Sequence, residues 1–149
     1  MRLEEEIHQR NFRNPRQKAL INLVFTHGWV SHKLKSILRS YDLSIPQYNV
    51  LRILNGAFPE PLTTSTIAAR MLDKASDASR LVDRMHKKGW VEKNVCENDK
   101  RLVDVKLSSK GKELTQQLAL IDDDLDGILG NLSVEQASQL NELLDQLRG

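Results

Sequence analysis

The sequence has little of what marks disulfide-bonded, secreted or membrane proteins. Its 149 residues include one cysteine, Cys96, which excludes a disulfide within the chain. No run approaches the roughly 18 apolar residues of a membrane span. The charged residues 1–6 lack the apolar core of a signal peptide. We therefore expect a cytoplasmic protein that has no membrane partner.

Motifs of catalysis and of cofactor binding are also missing. The sequence contains no phosphate-binding loop, dinucleotide fingerprint or nucleophile elbow. The acidic cluster at residues 122–126 lacks the glycine and the spacing of a calcium loop. Metal-ligand spacing is likewise absent from the four histidines, which are His8, His27, His32 and His86. We therefore predict that the protein is not an enzyme and needs neither a metal nor a cofactor.

Charge is distributed unevenly along the chain, although the net charge is only +2. Residues 1–72 carry 10 Lys and Arg against 5 Asp and Glu, and residues 73–112 carry 11 against 7. Residues 113–149 carry 1 against 8. Such a split predicts a basic working surface and an acidic region held away from it.

Residues 73–112 contain the most informative pattern. A helical repeat predicts one buried face and, opposite it, an outward face with basic and hydroxyl side chains. Gly89 is suited to the end of this helix. An ordinary solvated face, with an ion pair between Asp83 and Lys87, is the alternative interpretation. The buried face comprises Ala78, Leu81, Val82 and Met85, whereas Ser76, Arg80, Asp83 and Lys87 face outward, flanked by Ser79 and Arg84.

The neighbouring segments place this helix in a larger motif. A short helix is expected from Thr63 to Leu72, and about three residues, 73–75, would join the two helices. Alternating valines on both sides of a polar tip at residues 96–102 predict a two-stranded hairpin. The order helix, helix and basic hairpin is typical of a winged helix-turn-helix that binds DNA.

These residues resemble the MarR family of bacterial regulators. The resemblance covers about residues 44 to 112 and implies a winged helix-turn-helix. It also implies a homodimer with intertwined terminal helices, a pseudo-palindromic operator in double-stranded DNA, and repression relieved by a small phenolic or anionic effector. The stretches that carry it are Pro46–Leu51, Ser79–Met85, Lys88–Glu92, Asn98–Arg101, Val105–Ser108 and Gly111.

The expected architecture is mainly α with a small β-hairpin wing. The chain would be a single domain, 1–149, with a DNA-binding lobe at 44–112 and a helical dimerisation lobe formed by 1–43 and 113–149. Packing within one chain is the alternative to dimerisation. The apolar stripes are Leu20, Leu23, His27, Val30, Leu34, Ile37 or Leu38 and Tyr41; Leu114, Leu118, Ile121, Leu125, Ile128 and Leu132; and Ala137, Leu140, Leu144 and Leu147, the last group in a helix capped by Ser133 and Gln136.

Roles in DNA binding can be assigned by position. Arg101 has an alternative role as a structural partner of Asp99 within the wing. A protein-interaction adaptor is the rival function, and it would need an apolar outward face. We expect Ser76, Ser79 and Arg80 to contact bases, Arg84, Lys87, Lys88 and Lys93 to contact phosphates, and Lys100 and Arg101 to approach the minor groove.

A small-molecule site is a further expectation. Aromatic side chains with one cation suit a planar anion, and they could meet between the first long helix and the helix that begins near Ser44. Core aromatics that join the two lobes are the alternative. Cys96 has a redox role only as a remote alternative. The candidate ligand-binding residues are Trp29, His32, Tyr41, Tyr48 and Arg52.

Overall fold

The structure, a computed structural model, describes residues 1–96 and 99–149. The described part is mainly helical with one small sheet, as the sequence predicts. The helices are α1 (Leu3–Glu6), α2 (Pro15–Leu38), α3 (Ile45–Ala57), α4 (Thr64–Arg70), α5 (Ala78–Lys87), α6 (Ser109–Leu118), α7 (Asp122–Gly127) and α8 (Val134–Arg148). The strands are β1 (Leu62–Thr63), β2 (Val91–Val95) and β3 (Val103–Leu107).

The long helix α2 is mostly exposed in the single chain. Its amino end is capped by the side chain of Asn14, with Pro15 in the first turn. Gly28 lies inside the helix without breaking it, and Leu38 is the only residue of α2 classed as buried. A 3₁₀ turn, Arg39–Tyr41, follows and ends at Asp42, which has a left-handed backbone with φ of 52°.

Helix α3 forms the centre of the core. Ser44 and Gln47 exchange the two hydrogen bonds of a capping box at its amino end. Val50, Leu51 and Leu54 are buried. The core they share extends to Leu38 and Leu43, to α4 and α5, to the sheet, and to Leu118 and Ile121 in the C-terminal part.

The sheet has three antiparallel strands in the order β1-β3-β2. The predicted hairpin is present, with Val91 opposite Leu107 and Val95 opposite Val103. The sequence did not indicate the third strand, β1, which pairs with β3 through Leu62 and Thr63. A two-residue strand is too short to show an alternating pattern in sequence.

The C-terminal part contains a break that the sequence did not indicate. The apolar stripe from 114 to 132 predicted one helix, but α6 ends at Leu118 and a 3₁₀ turn, Ala119–Ile121, separates it from α7. This turn buries Ile121, and the three aspartates that follow lie where a helix amino end favours negative charge. The predicted capping box of Ser133 and Gln136 begins α8 as expected.

Two further observations concern the helices. Helix α8 has no buried residue, although Leu140, Leu143 and Leu147 lie on it. Among residues 1–96 and 99–149, no helix is both long and apolar enough to cross a membrane.

Candidate nucleic-acid interface

Helix α5 presents two chemically distinct faces. Ala78, Leu81, Val82 and Met85 are buried against the core, as the helical repeat predicted. The other face is exposed and carries hydroxyl and charged side chains. The core therefore fixes how α5 is rotated about its own axis. Its exposed residues are Ser79, Arg80, Asp83, Arg84, His86 and Lys87.

The segment between α4 and α5 is longer than predicted. Helix α4 ends at Arg70 and α5 begins at Ala78, so residues 71–77 are not helical. The prediction of a three-residue turn is wrong because Asp73 organises this segment locally. Its carboxylate accepts hydrogen bonds from the amide of Ala75 and the hydroxyl of Ser76, both at 3.0 Å.

Ser76 consequently lies outside the helix on which the sequence placed it. Its side chain is half-buried, and its hydroxyl donates to Asp73. The placement of Ser76 on the outward face of α5 is therefore wrong. A role for Ser76 in base contact stays a prediction, now made from the preceding turn.

Asp77 joins the start of α5 to its central outward-facing cation. One carboxylate oxygen accepts a hydrogen bond from the amide of Arg80 at 3.1 Å and caps the helix. The other oxygen lies 3.3 Å from Nε of Arg80. Arg80 remains 85% exposed and extends from the surface. Sequence reasoning missed this role, although an aspartate before a helical repeat is a recognisable cap signal.

Asp83 links α5 to the sheet. The ammonium of Lys93 on β2 donates to its carboxylate, and this hydrogen bond holds the pKa of Asp83 below its usual value. The alternative interpretation, in which Asp83 pairs mainly with Lys87, is therefore wrong, because Lys93 is the partner of this carboxylate. Lys93 is engaged within the lobe, whereas Lys87 is exposed on the outward face.

Lys88 also has a partner within the chain. Its ammonium lies 2.6 Å from a carboxylate oxygen of Asp42 and 4.4 Å from the centre of the Trp90 ring. Asp42 could not be found from sequence as the partner, because it is 46 residues away.

The wing tip carries an ion pair of good geometry. Nε and Nη2 of Arg101 each donate to a different carboxylate oxygen of Asp99 at 3.1 Å. These hydrogen bonds, with a third from the Arg101 amide, hold the pKa of Asp99 below its usual value. This contact is the one expected if Arg101 serves as a structural partner of Asp99 within the wing. Arg101 is nevertheless 89% exposed, and Lys100 beside it is exposed too.

The structure describes the predicted wing tip in part. The turn residues Glu97 and Asn98 lie outside the described residues. The amide of Cys96 donates to the carbonyl oxygen of Leu102 across the tip, at 3.0 Å. Cys96 itself is half-buried at the end of β2.

The wing is joined to α5 and α6 by close packing. Nδ1 of His86 donates to the carbonyl oxygen of Val91 at 2.9 Å. Gly111 in α6 leaves no room for a side chain, since a Cβ there would lie 2.0 Å from the carbonyl oxygen of Trp90. The wing and α5 are thus held in a fixed relation.

The candidate ligand-binding residues are not gathered into one described cavity. Trp29 lines a groove of about 230 Å³ together with Leu3 and Phe25. Tyr48 and Arg52 lie on α3, outside this groove. Nη1 of Arg52 is 3.6 Å from a carboxylate oxygen of Asp122. Burial raises the pKa of Tyr48, with a smaller opposing effect from Arg52.

The remaining candidates are Tyr41, which fits the alternative of a core aromatic, and His32, whose role stays untested. Tyr41 packs against the core in the described structure, as a core aromatic would. His32 is exposed on α2. A shared ligand site for all five residues therefore stays a prediction.

The order of elements and the exposed basic helix beside a hairpin define the winged helix-turn-helix class. The sequence profile of the MarR family matches residues 41–102. Solved MarR-type structures share the fold over almost the whole chain. The chain is thus similar to the MarR family of transcriptional regulators over residues 41–102 and shares the winged helix-turn-helix fold of MarR-type structures.

Three known proteins show how similar the relatives are. An HTH-type transcriptional regulator of Bacillus subtilis, YfiV, is 36% identical over 77 residues, which are 52% of this chain and 47% of YfiV. The chain thus matches about half the length of that relative. The repressor IacR of Pseudomonas putida is 25% identical over 83% of this chain and 73% of its own length. A MarR variant of Escherichia coli, solved with operator DNA, is 27% identical, covers 99% of both chains and has a TM-score of 0.76.

Proposed function

We propose that this protein is a homodimeric transcriptional regulator that binds a specific site in double-stranded DNA. The observation that carries the proposal is the outward face of α5, which is exposed and basic while its other face is buried in the core. An α-helix fits the major groove, and side chains near its amino end reach the base edges. A similar MarR variant of Escherichia coli has been solved in complex with operator DNA, which supports DNA binding.

Base contact is assigned to the amino-terminal half of α5. Arg80 is the main candidate, because its guanidinium extends into solvent and can donate two hydrogen bonds to a guanine. Ser79 lies beside it, and Ser76 approaches from the preceding turn.

Contact with the DNA backbone is assigned to four exposed cations of the lobe. Arg84 and Lys87 are exposed on α5, and Lys100 and Arg101 lie at the wing tip. Lys93 has an internal carboxylate partner in the free protein, so we rank it below these four as a phosphate contact. A long cation at a wing tip suits the negative potential of a narrow minor groove.

Dimerisation is assigned to α2 and α8. The boundaries between the DNA-binding lobe and the dimerisation lobe would lie near residues 44 and 112. Exposed leucines on both helices support this part of the proposal, since large apolar patches usually mark interfaces. A stable dimer would bury more than about 2,000 Å² in total. The exposed apolar residues of these helices are Leu20, Leu23, Val24, Val134, Leu140, Leu143 and Leu147.

The chemistry of α5 disfavours a protein-interaction adaptor. Such a module would present an apolar face to its partner, and interface cores are depleted in charged residues. The exposed residues of α5 are all polar or charged.

Repression that is relieved by a small planar or anionic effector completes the proposal. IacR of Pseudomonas putida, which is similar to this chain, is a transcriptional repressor, and this supports repression. The groove beside Trp29 and the Tyr48–Arg52 pair are the two places where such a compound could contact aromatic and cationic groups. Titration of the DNA complex with benzoate, followed by gel mobility and not by tryptophan fluorescence, tests this part separately: release of the DNA is expected, and an unchanged complex would contradict the effector.

Selection of bound fragments from the source genome tests the main proposal directly. The purified protein should enrich a short inverted repeat and should bind it at least about 1,000-fold more tightly than a scrambled duplex, as specific binders do. Enrichment of no discrete sequence would refute the proposal.

A further inference from the structure

The ammonium of Lys88 is enclosed by three partners. A carboxylate oxygen of Asp42 lies at 2.6 Å, the main-chain carbonyl oxygen of Asp42 at 3.1 Å, and the centre of the Trp90 ring at 4.4 Å. All three contacts favour a positive charge in this place. The ammonium is therefore already well coordinated within the free chain.

Both ends of this contact are attached to rigid structure. Asp42 has a left-handed backbone that aspartate tolerates better than most residues, and its amide donates to the carbonyl oxygen of Arg39. Buried Leu43 follows it. Lys88 is the carboxyl cap of α5, and its amide donates to the carbonyl oxygen of Arg84.

We infer that Asp42 and Lys88 form a latch that fixes the carboxyl end of α5 to the 3₁₀ turn that follows α2. The latch comprises the Asp42 carboxylate and carbonyl, the Lys88 ammonium and the Trp90 ring. Lys88 is then a positioning residue and not a phosphate contact. The inference rests on the proposed function, since α5 is positioned for DNA binding.

The latch has a specific consequence in a dimer. Helix α2 belongs to the proposed dimerisation lobe, and α5 enters the groove. A fixed angle between them sets the distance between the two copies of α5, and hence the spacing of half-sites that the dimer accepts. Asp42 and Lys88 would thus determine spacing selectivity without contacting DNA.

The expected effect is modest because Asp42 is 89% exposed and the Lys88 side chain 36% exposed. Pairs of this kind change an equilibrium by roughly two- to fivefold. The two possible roles of Lys88 nevertheless predict opposite results for Asp42. If Lys88 contacted phosphate, removing the competing carboxylate would free its ammonium and tighten DNA binding.

The first experiment compares Asp42→Asn, Lys88→Met and the double variant of the full-length protein on the selected operator. Asparagine retains tolerance of the left-handed backbone while removing the charge. Both single variants should weaken binding by roughly two- to fivefold, and the double variant should be no weaker than the worse single variant. Both should also lose discrimination against operators with one base pair added or removed between the half-sites.

Salt dependence separates the latch from a phosphate contact. Lys88→Met should leave the slope of log K against log salt unchanged, whereas Lys87→Met, which removes the adjacent exposed lysine, should reduce it by about one unit. Tighter binding by Asp42→Asn, or a shallower slope for Lys88→Met, would overturn the latch.

Hydrogen exchange tests the latch without DNA. The amides of Lys88 and Gly89 donate to the carbonyl oxygens of Arg84 and His86. In Asp42→Asn and in Lys88→Met these amides should exchange about two- to fivefold faster, while Lys87→Met leaves them unchanged. Unchanged exchange in both latch variants contradicts the inference. Failure of the wild-type protein to bind a discrete site contradicts only the proposed function.

Discussion

Helices α5 and α8 are both amphipathic, but only one of them is covered. Four of the ten residues of α5 are buried, whereas none of the fifteen residues of α8 is. Leucines occur on both, and those of α8 include Leu143 at 63% exposed. The difference indicates that α5 is covered by the core of its own chain, whereas α8 leaves apolar surface that another chain can cover.

The largest expected effect follows from placing charge on the uncovered helix. In Leu143→Glu/Leu147→Glu, two carboxylates would have to enter the proposed interface, and burying each unpaired charge costs several kcal/mol. We expect a monomer at low micromolar concentration and a loss of operator affinity of at least about 100-fold, measured by sedimentation and DNA titration.

Leu72→Glu is the matched control for that double variant. Leu72 is 84% exposed but lies between α4 and α5, outside the flanking helices. Its mass should remain that of the wild-type protein. If the α8 variant also keeps the wild-type mass, α8 is a solvent-exposed surface and the comparison drawn above fails.

Alanine substitutions at two glycines compare the close packing beside the wing with the open surface of α2. A Cβ at Gly111 would lie 2.0 Å from a backbone oxygen, so Gly111→Ala should destabilise the protein by at least about 2 kcal/mol. A Cβ at Gly28 on α2 meets nothing within 4 Å in the single chain, and Gly28→Ala should stabilise by up to about 1 kcal/mol. Urea denaturation at one protein concentration measures both, and equal midpoints would contradict the packing difference.

Arg80→Ala tests where on α5 the sequence is read. It should cost about 1–3 kcal/mol of binding free energy at the preferred site and much less on random DNA. Asp77→Asn is an informative companion, because asparagine retains the helix cap while removing the charge next to Nε. Equal losses for Arg80→Ala on both duplexes would reassign Arg80 to the DNA backbone.

The smallest expected effects concern the wing. Arg101→Ala should reduce the salt slope by about one unit if the guanidinium contacts DNA. An unchanged slope with a lower melting temperature, mimicked by Asp99→Ala, would instead make the Asp99–Arg101 pair purely structural. Lys100→Ala, at the neighbouring exposed position, serves as the control for charge at the tip.

The same ion pair has a defined pH dependence. Arg101 lowers the pKa of Asp99 in the folded protein, so the pair contributes stability above the ordinary carboxyl pKa, near 3.8, and loses it as the pH falls through the folded value. Titration of the Asp99 carboxyl by NMR should show a midpoint below 3.8, and Arg101→Ala should raise it. A midpoint that does not move would contradict the ion pair in solution.

Local patterns in the sequence predicted the elements that bury a regular face. The buried side of α5, the hairpin and the capping box at Ser133 follow from periodicity and cap chemistry, and the structure confirms them. The 71–77 turn and strand β1 have no periodic signal. The break at residues 119–121 was hidden because the apolar stripe continues through it.

Long-range contacts could not be predicted in the same way. Lys88 and Lys93 were both assigned to phosphate from the sequence, but in the folded chain each pairs with a carboxylate. These carboxylates lie 46 and 10 residues away along the chain, so no local pattern indicates them. The exposed positions of Arg80, Arg84 and Lys87 could be predicted, because they depend only on which face of α5 is buried. Their contacts with DNA stay predictions, as do those of the wing.

One measurement tests the central claim that a basic lobe binds DNA while the flanking helices join two copies. A hydroxyl-radical footprint of the wild-type protein on its selected operator should show two protected half-sites related by two-fold symmetry. Their centres should be about one helical turn, or a whole number of turns, apart on the duplex. A single asymmetric half-site, protected by one chain, would contradict the account.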